Sequence, residues 1–133
     1  MKKLFLSLSF LLCFVMSNAQ NTMTYESVTY INGLGISDIP RFIELHKKFA
    51  DLAAGENRKA TGQWLFRHWY GSGHAFVLYD QYDSMEDYMT DSDLYLENIK
   101  LKVDALKDEN EKEAIKKDWA EYRAFSDGHT DEI

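Results

Sequence analysis

The residues best suited to chemistry gather between Trp64 and Phe76. Trp64, Phe66, His68, Tyr70, His74 and Phe76 lie within one short stretch and include two of the 4 histidines. Imidazole titrates near neutral pH, so His68 can serve as a general base or as an axial ligand to haem iron. An aromatic wall around one polar group is also the common form of a small-ligand pocket. These six side chains form the candidate ligand-binding set. The same rings can equally pack a core or a dimer interface, with the imidazole bonded to backbone. Arg67 can neutralise a carboxylate on a substrate, or lay its stem over apolar surface and reach an acidic neighbour. No catalytic residue is assigned.

Other candidate chemistry is sparse. His129 stands among Asp127, Asp131 and Glu132, residue types that can hold a divalent cation, but their spacing matches no metal-binding loop. No metal site is assigned. Gly71-Ser72-Gly73 is too short to cradle phosphate and precedes a strand rather than a helix. The serines lie in no nucleophile elbow, and no His-Glu-x-x-His motif occurs. His46, between Leu45 and Lys47, reads as a surface residue of a helix.

The elements that position these residues follow from periodicity. Gln63–Tyr70 and His74–Tyr82 read as two strands joined by a three-residue loop, a β-hairpin. Pairing Tyr70 with His74 puts Trp64, Phe66, His68, Tyr70, His74, Phe76 and Leu78 on one face. Leu65, Arg67, Trp69, Ala75, Val77 and Tyr79 then share the other. Neither face is polar, so the hairpin is expected to be covered on both sides, by helices on one and by another surface on the other.

Thr24–Ile31 suits a strand, closed by Asn32, Gly33 and Gly35. Ile39, Phe42, Leu45, Phe49 and Leu52 form one apolar helical face, with Ser37 or Asp38 as cap, Pro40 in the first turn and Gly55 as stop. Ser84 and Asp87 make a capping pattern for a second helix, which can break and restart at Asp91–Asp93. Leu94, Ile99, Val103 and Leu106 carry its apolar side onward. Asp108–Glu113 reads as a solvated turn or break, after which Ile115, Trp119, Tyr122 and Phe125 resume helical spacing up to Gly128.

Strand, helix, strand, strand, helix is the order of an α+β fold. The expected architecture is a ferredoxin-like antiparallel sheet with helices on one face and an extra C-terminal helical segment. In Thr24–Ile31, Pro40–Leu52, the Trp64–Tyr82 hairpin and Ser84–Met89, the chain resembles the dimeric α/β-barrel superfamily, which includes antibiotic-biosynthesis-type and haem-degrading monooxygenases. That resemblance implies a homodimer with two sheets packed face to face, which would explain a hairpin without a polar face. Two features depart from the pattern. Asp91–Phe125 is longer than one crossover helix and reads as an inserted helical pair. Only Gly128–Ile133 remains for a fourth strand, so either that strand is very short or the natural chain is truncated here at its C-terminus.

Composition sets the compartment and excludes some partners. Lys2 and Lys3, the apolar run Leu4–Met16 and the small or polar Ser17-Asn18-Ala19 have the order of a signal peptide, expected at 1–19. The run is too short to span a bilayer, so no membrane anchor is expected after cleavage, and the protein is expected to be periplasmic or secreted. Residues 20–133 then form a single domain. The sole cysteine, Cys13, lies in the signal, which leaves the remainder without disulfides or thiolate chemistry. The signal holds two of the 15 Lys+Arg and none of the 22 Asp+Glu, so the remainder is strongly acidic. Nucleic acid is not an expected partner, because neutralising phosphates requires clustered cations.

Two functions from different classes fit these residues. One is an exported homodimeric module that binds a small apolar ligand or a protein partner, without a cofactor. The other, implied by the resemblance, is a monooxygenase-like enzyme, cofactor-free or haem-dependent, that uses the aromatic hairpin with His68 as base or ligand.

Overall fold

The computed structural model describes residues 23–68 and 73–133. The expected signal and the hairpin tip with Trp69, Tyr70, Gly71 and Ser72 lie outside the described residues. Strand β1 (Tyr25–Asn32) leads through a single-turn 3-10 helix at Ile36–Asp38 into α1 (Ile39–Ala53). The hairpin follows as β2 (Gly62–Arg67) and β3 (His74–Tyr82). Helices α2 (Met85–Asp104) and α3 (Glu109–Phe125) precede a three-residue strand β4 (Thr130–Glu132). The strands form one sheet in the order β2-β3-β1-β4, and each neighbouring pair is antiparallel. This is the ferredoxin-like order expected of two interleaved β-α-β units, with one extra helix in the second crossover.

The hairpin register differs from expectation by one residue. Phe76 faces Arg67 rather than His68, and Trp64 faces Tyr79. Side chains alternate with a period of two, so a slip of one residue carries a whole strand to the other face. Trp64 and Phe66 therefore share the outer face with Val77 and Tyr79. Leu65 shares the helix side with Leu78, and Phe76 is fully buried there against Phe42 of α1, 4.9 Å between ring centroids. A β-bulge adds a second change. Ile31 pairs with Phe76 but Asn32 pairs with His74, leaving Ala75 as the extra residue. The bulge turns His74 onto the outer face, where its ring lies 4.8 Å from that of Tyr30.

Helix α1 is the centre of the helix layer. Phe42 joins Ile31 and Phe76 in one buried cluster, and Leu45 and Phe49 join Ile115 of α3 in another. Tyr122 and Phe125 touch both clusters and tie α3 to the sheet. The expected stop at Gly55 works differently from a left-handed cap. Helix α1 ends at Ala54 in extended conformation, and α2 satisfies its last carbonyls. Asn98 Nδ2 donates to Ala53 O at 2.9 Å, and Lys102 Nζ reaches Asp51 O and Ala54 O. A Cβ on Gly55 would sit 2.7 Å from Asn98 Nδ2, so the glycine makes room for that bond.

Two helix boundaries also differ from expectation. Neither Ser37 nor Asp38 caps α1 through a side chain; the 3-10 turn feeds the chain into it directly. Helix α2 runs through Asp91–Asp93 without a break, because Asp91 faces inward to a buried partner. The Ser84 cap forms as expected, with Asp87 N donating to Ser84 Oγ at 3.0 Å. The break falls just before Asp108, whose Oδ1 accepts from Asn110 N at 2.8 Å and starts α3.

Phe76 tests the register. Replacing it with Ala should cost about 3–5 kcal/mol, the range for emptying a buried aromatic site. Urea unfolding measures this, and a loss below about 1 kcal/mol, as for a surface position, would contradict the observed pairing.

Candidate functional site

The sheet and the helix layer do not close on each other everywhere. They leave a cavity of about 510 Å³, within the size range of small-ligand sites. From the sheet come Ser27, Thr29, Leu65, Leu78, Asp80 and Tyr82. The helices add His46 and Ala50 from α1, Tyr88 and Tyr95 from α2, and Tyr122 from α3. Small side chains at Ser27, Thr29 and Ala50 leave the space that aromatic residues fill elsewhere in the same layer.

One wall of the cavity is a buried ion pair. Arg58, in the loop after α1, donates Nε to Asp91 Oδ1 at 2.9 Å and Nη2 to Asp91 Oδ2 at 2.7 Å. Their side chains are 10% and 2% exposed. Lys59 N donates to Asp91 Oδ1 at 2.7 Å, and Tyr82 Oη lies 3.5 Å from Oδ2. Burial alone would raise the Asp91 pKa. The Arg58 hydrogen bonds, the Lys59 and Ala60 N–H groups and the guanidinium charge outweigh burial and hold it below the usual carboxylate range. The guanidinium also sits over the Tyr95 ring, 5.0 Å from its centroid.

Asp80 is the second carboxylate of the cavity, and its surroundings are poorer. Its one hydrogen-bonding partner among the described residues is Gln63, with Nε2 donating at 2.9 Å. Burial pushes its pKa above the ordinary aspartate value. The Gln63 bond and the Arg58 charge pull against that shift, and the neighbouring Asp91 charge adds to it. Asp80 in turn helps raise the phenol pKa values of Tyr82, Tyr95 and Tyr122, each of them shifted first by burial. Tyr95 is pushed up to about 12. All three phenols therefore stay protonated at neutral pH; Tyr82 faces Asp91 and Tyr122 faces His46.

His46 corrects the expectation of a surface residue. It lies one helical turn after Phe42 and is carried inward with it, and the two rings stack at 6.1 Å. Its Nδ1 is 2.9 Å from Tyr122 Oη. Burial lowers its pKa, which favours the neutral ring near pH 7.

The six hairpin residues singled out from the sequence separate in space. Trp64, Phe66, His68 and His74 gather on the outer face of the sheet, where the His68 and His74 rings lie 5.4 Å apart. Phe76 points the other way, into the core. Tyr70 lies outside the described residues. Of the five described, only Trp64 borders the cavity. His68, read as base or haem ligand, thus lies across the sheet from the cavity, whose own imidazole is His46. Arg67, at the end of β2, is exposed. His129 lies 3.1 Å from Asp131 and bonds through Nδ1 to Ser126 O.

Sequence reasoning missed Arg58, Asp80, Tyr82, Asp91, Tyr95 and Tyr122 as a set. The available signal was a charged residue inside the apolar strand His74–Tyr82, together with tyrosines spaced along the helical faces. No protein-family model matches the chain, and searches of curated proteins and of solved structures found no match.

Two substitutions test this geometry. Asp91→Ala would strand the Arg58 guanidinium in the interior and should cost about 3–5 kcal/mol in urea unfolding. A near-neutral effect would contradict the pairing. Asp80→Asn should act in the opposite direction. The folded state raises the Asp80 pKa, so it disfavours the ionised form, and this penalty is largest above the folded pKa. The variant should melt higher than the wild type at pH 7, and the gap should close below about pH 4, where the unfolded carboxyl is protonated as well. A lower melting point at pH 7 would contradict the assignment.

Proposed function

We propose that this protein is an exported, homodimeric module that binds a small, largely apolar ligand. Two copies pair through the bare face of the sheet, and each holds its ligand in the cavity on the helix side. One observation carries the reading: both faces of the sheet are apolar, and the described helices cover only one. On the uncovered side Trp64 is 44% exposed and Phe66 54%, beside Val28, Tyr30, Val77 and Tyr79. Contiguous exposed apolar surface of this kind marks an interaction site.

Charge supports a second copy as the occupant. The centre of the face carries no ionised group. Its acidic residues, Glu26 and Glu132, stand at the margin and are engaged by Tyr79 and Tyr30. An identical acidic chain can therefore approach without opposing carboxylates meeting at the centre, as a two-fold interface requires. The strand register gathers these side chains on one face, as sheet-on-sheet packing requires. The tyrosine-rich cavity behind the sheet supports a small ligand with an apolar body, and the N-terminal segment supports export.

Phe66→Asp tests the pairing. A carboxylate placed among the exposed aromatic residues of an apolar interface faces a desolvation cost with no partner. Light scattering should show the mass falling to that of one chain, while circular dichroism stays unchanged because Phe66 does not touch the core. A variant that stays dimeric, or a wild type already monomeric, would overturn the reading, and the latter would turn attention to a different protein partner.

A further inference from the structure

We infer that the cavity takes a ligand bearing a protonated amine on an apolar body, with Asp80 as its counter-ion. This inference rests on the cavity reading above and names the ligand class. The first support is a charge count. Around Asp80 the cavity lining holds two carboxylates, Asp80 and Asp91, and one guanidinium, Arg58; the third lining carboxylate, Asp131 on β4, accepts from Thr29 Oγ1 instead. Arg58 gives both of its short bonds to Asp91. Asp80 is left with a neutral amide, Gln63, and a net negative charge remains against the cavity. Half-buried charge without a partner is costly, and a cation delivered by a ligand would remove that cost.

The groups facing Asp80 from other elements supply no such cation. Helix α1 presents His46, kept neutral by burial and bonded to Tyr122. Helix α2 presents Tyr95 and the paired Asp91, α3 presents Tyr122, and β1 presents Ser27 directly opposite in the register. Lys59, the nearest lysine in the loop, turns toward Asp87 instead.

Aromatic surface is the second support. Tyr82, Tyr95 and Tyr122 all lie close enough to Asp80 for its charge to act on their phenols. Ring faces attract cations, and Tyr95 already holds one on the Arg58 side. A carboxylate among tyrosines beside Leu65 and Leu78 would bind the ammonium at one end and the apolar body at the other. A carboxylate ligand would instead meet Asp80 with like charge.

Calorimetric titration of the full chain at pH 7 with three probes of one shape tests this: 2-phenylethylamine, 2-phenylethanol and 3-phenylpropionate. The amine should bind one-to-one and about tenfold or more tighter than the alcohol, the scale of a charge-assisted bond, with the acid weakest. In Asp80→Asn the amine should fall to the level of the alcohol while alcohol binding persists, which separates a lost counter-ion from a lost fold. If the wild type binds the alcohol as tightly as the amine, or the variant keeps the preference, the charge assignment is overturned and the cavity reading stands. If none of the three saturates, the cavity reading fails and takes the inference with it.

Discussion

A sheet with two apolar faces, only one of them covered by the described helices, is the constraint from which the rest of this molecule follows. On the covered side, α1 lays Phe42 against Ile31 and Phe76, and Leu45 and Phe49 against α3. That burial is the main source of stability in a domain whose only cysteine lies near its start, at Cys13. On the other side, the same strands present aromatic and branched residues that no described element covers. Period-two alternation makes the two faces inseparable: the residues that seal the core fix which residues stand outside.

The cavity arises where the covered side fails to close. Its polar wall depends on a chain of local ties. Asn98 and Lys102 hold the end of α1, and the loop that leaves it carries Arg58 down onto Asp91. Arg58 is thereby committed to one carboxylate, which leaves Asp80 with a single amide partner. The uneven pairing of the two carboxylates thus rests on which acid the guanidinium reaches. Bidentate geometry and two backbone N–H groups decide it in favour of Asp91.

Much of the fold was legible in the sequence. Periodicity located the strands and helices, Ser84 announced the start of α2, and the hairpin residues showed that neither of its faces would be polar. The pairing was not legible to the residue. Arg67 facing Phe76 and an extra Ala75 in β3 are set by packing on α1, which no local pattern encodes. The site was less legible still. Arg58 and Asp91 are separated by the whole hairpin and stand in polar stretches that resemble solvated surface. His46, followed by Lys47 and Lys48, looks exposed until Phe42, one turn earlier, carries it inward. Aromatic density in the hairpin was visible, but it marked the outer face and not the cavity behind it.

Which surface pairs can be read directly. Isotope-filtered nuclear Overhauser spectra, recorded on a mixture of labelled and unlabelled chains, report contacts between copies only. Pairing through the outer face of the sheet should give cross-peaks among Tyr30, Phe66, Val77 and Tyr79 of different chains. Cross-peaks from the helix layer instead, or none at all, would contradict it.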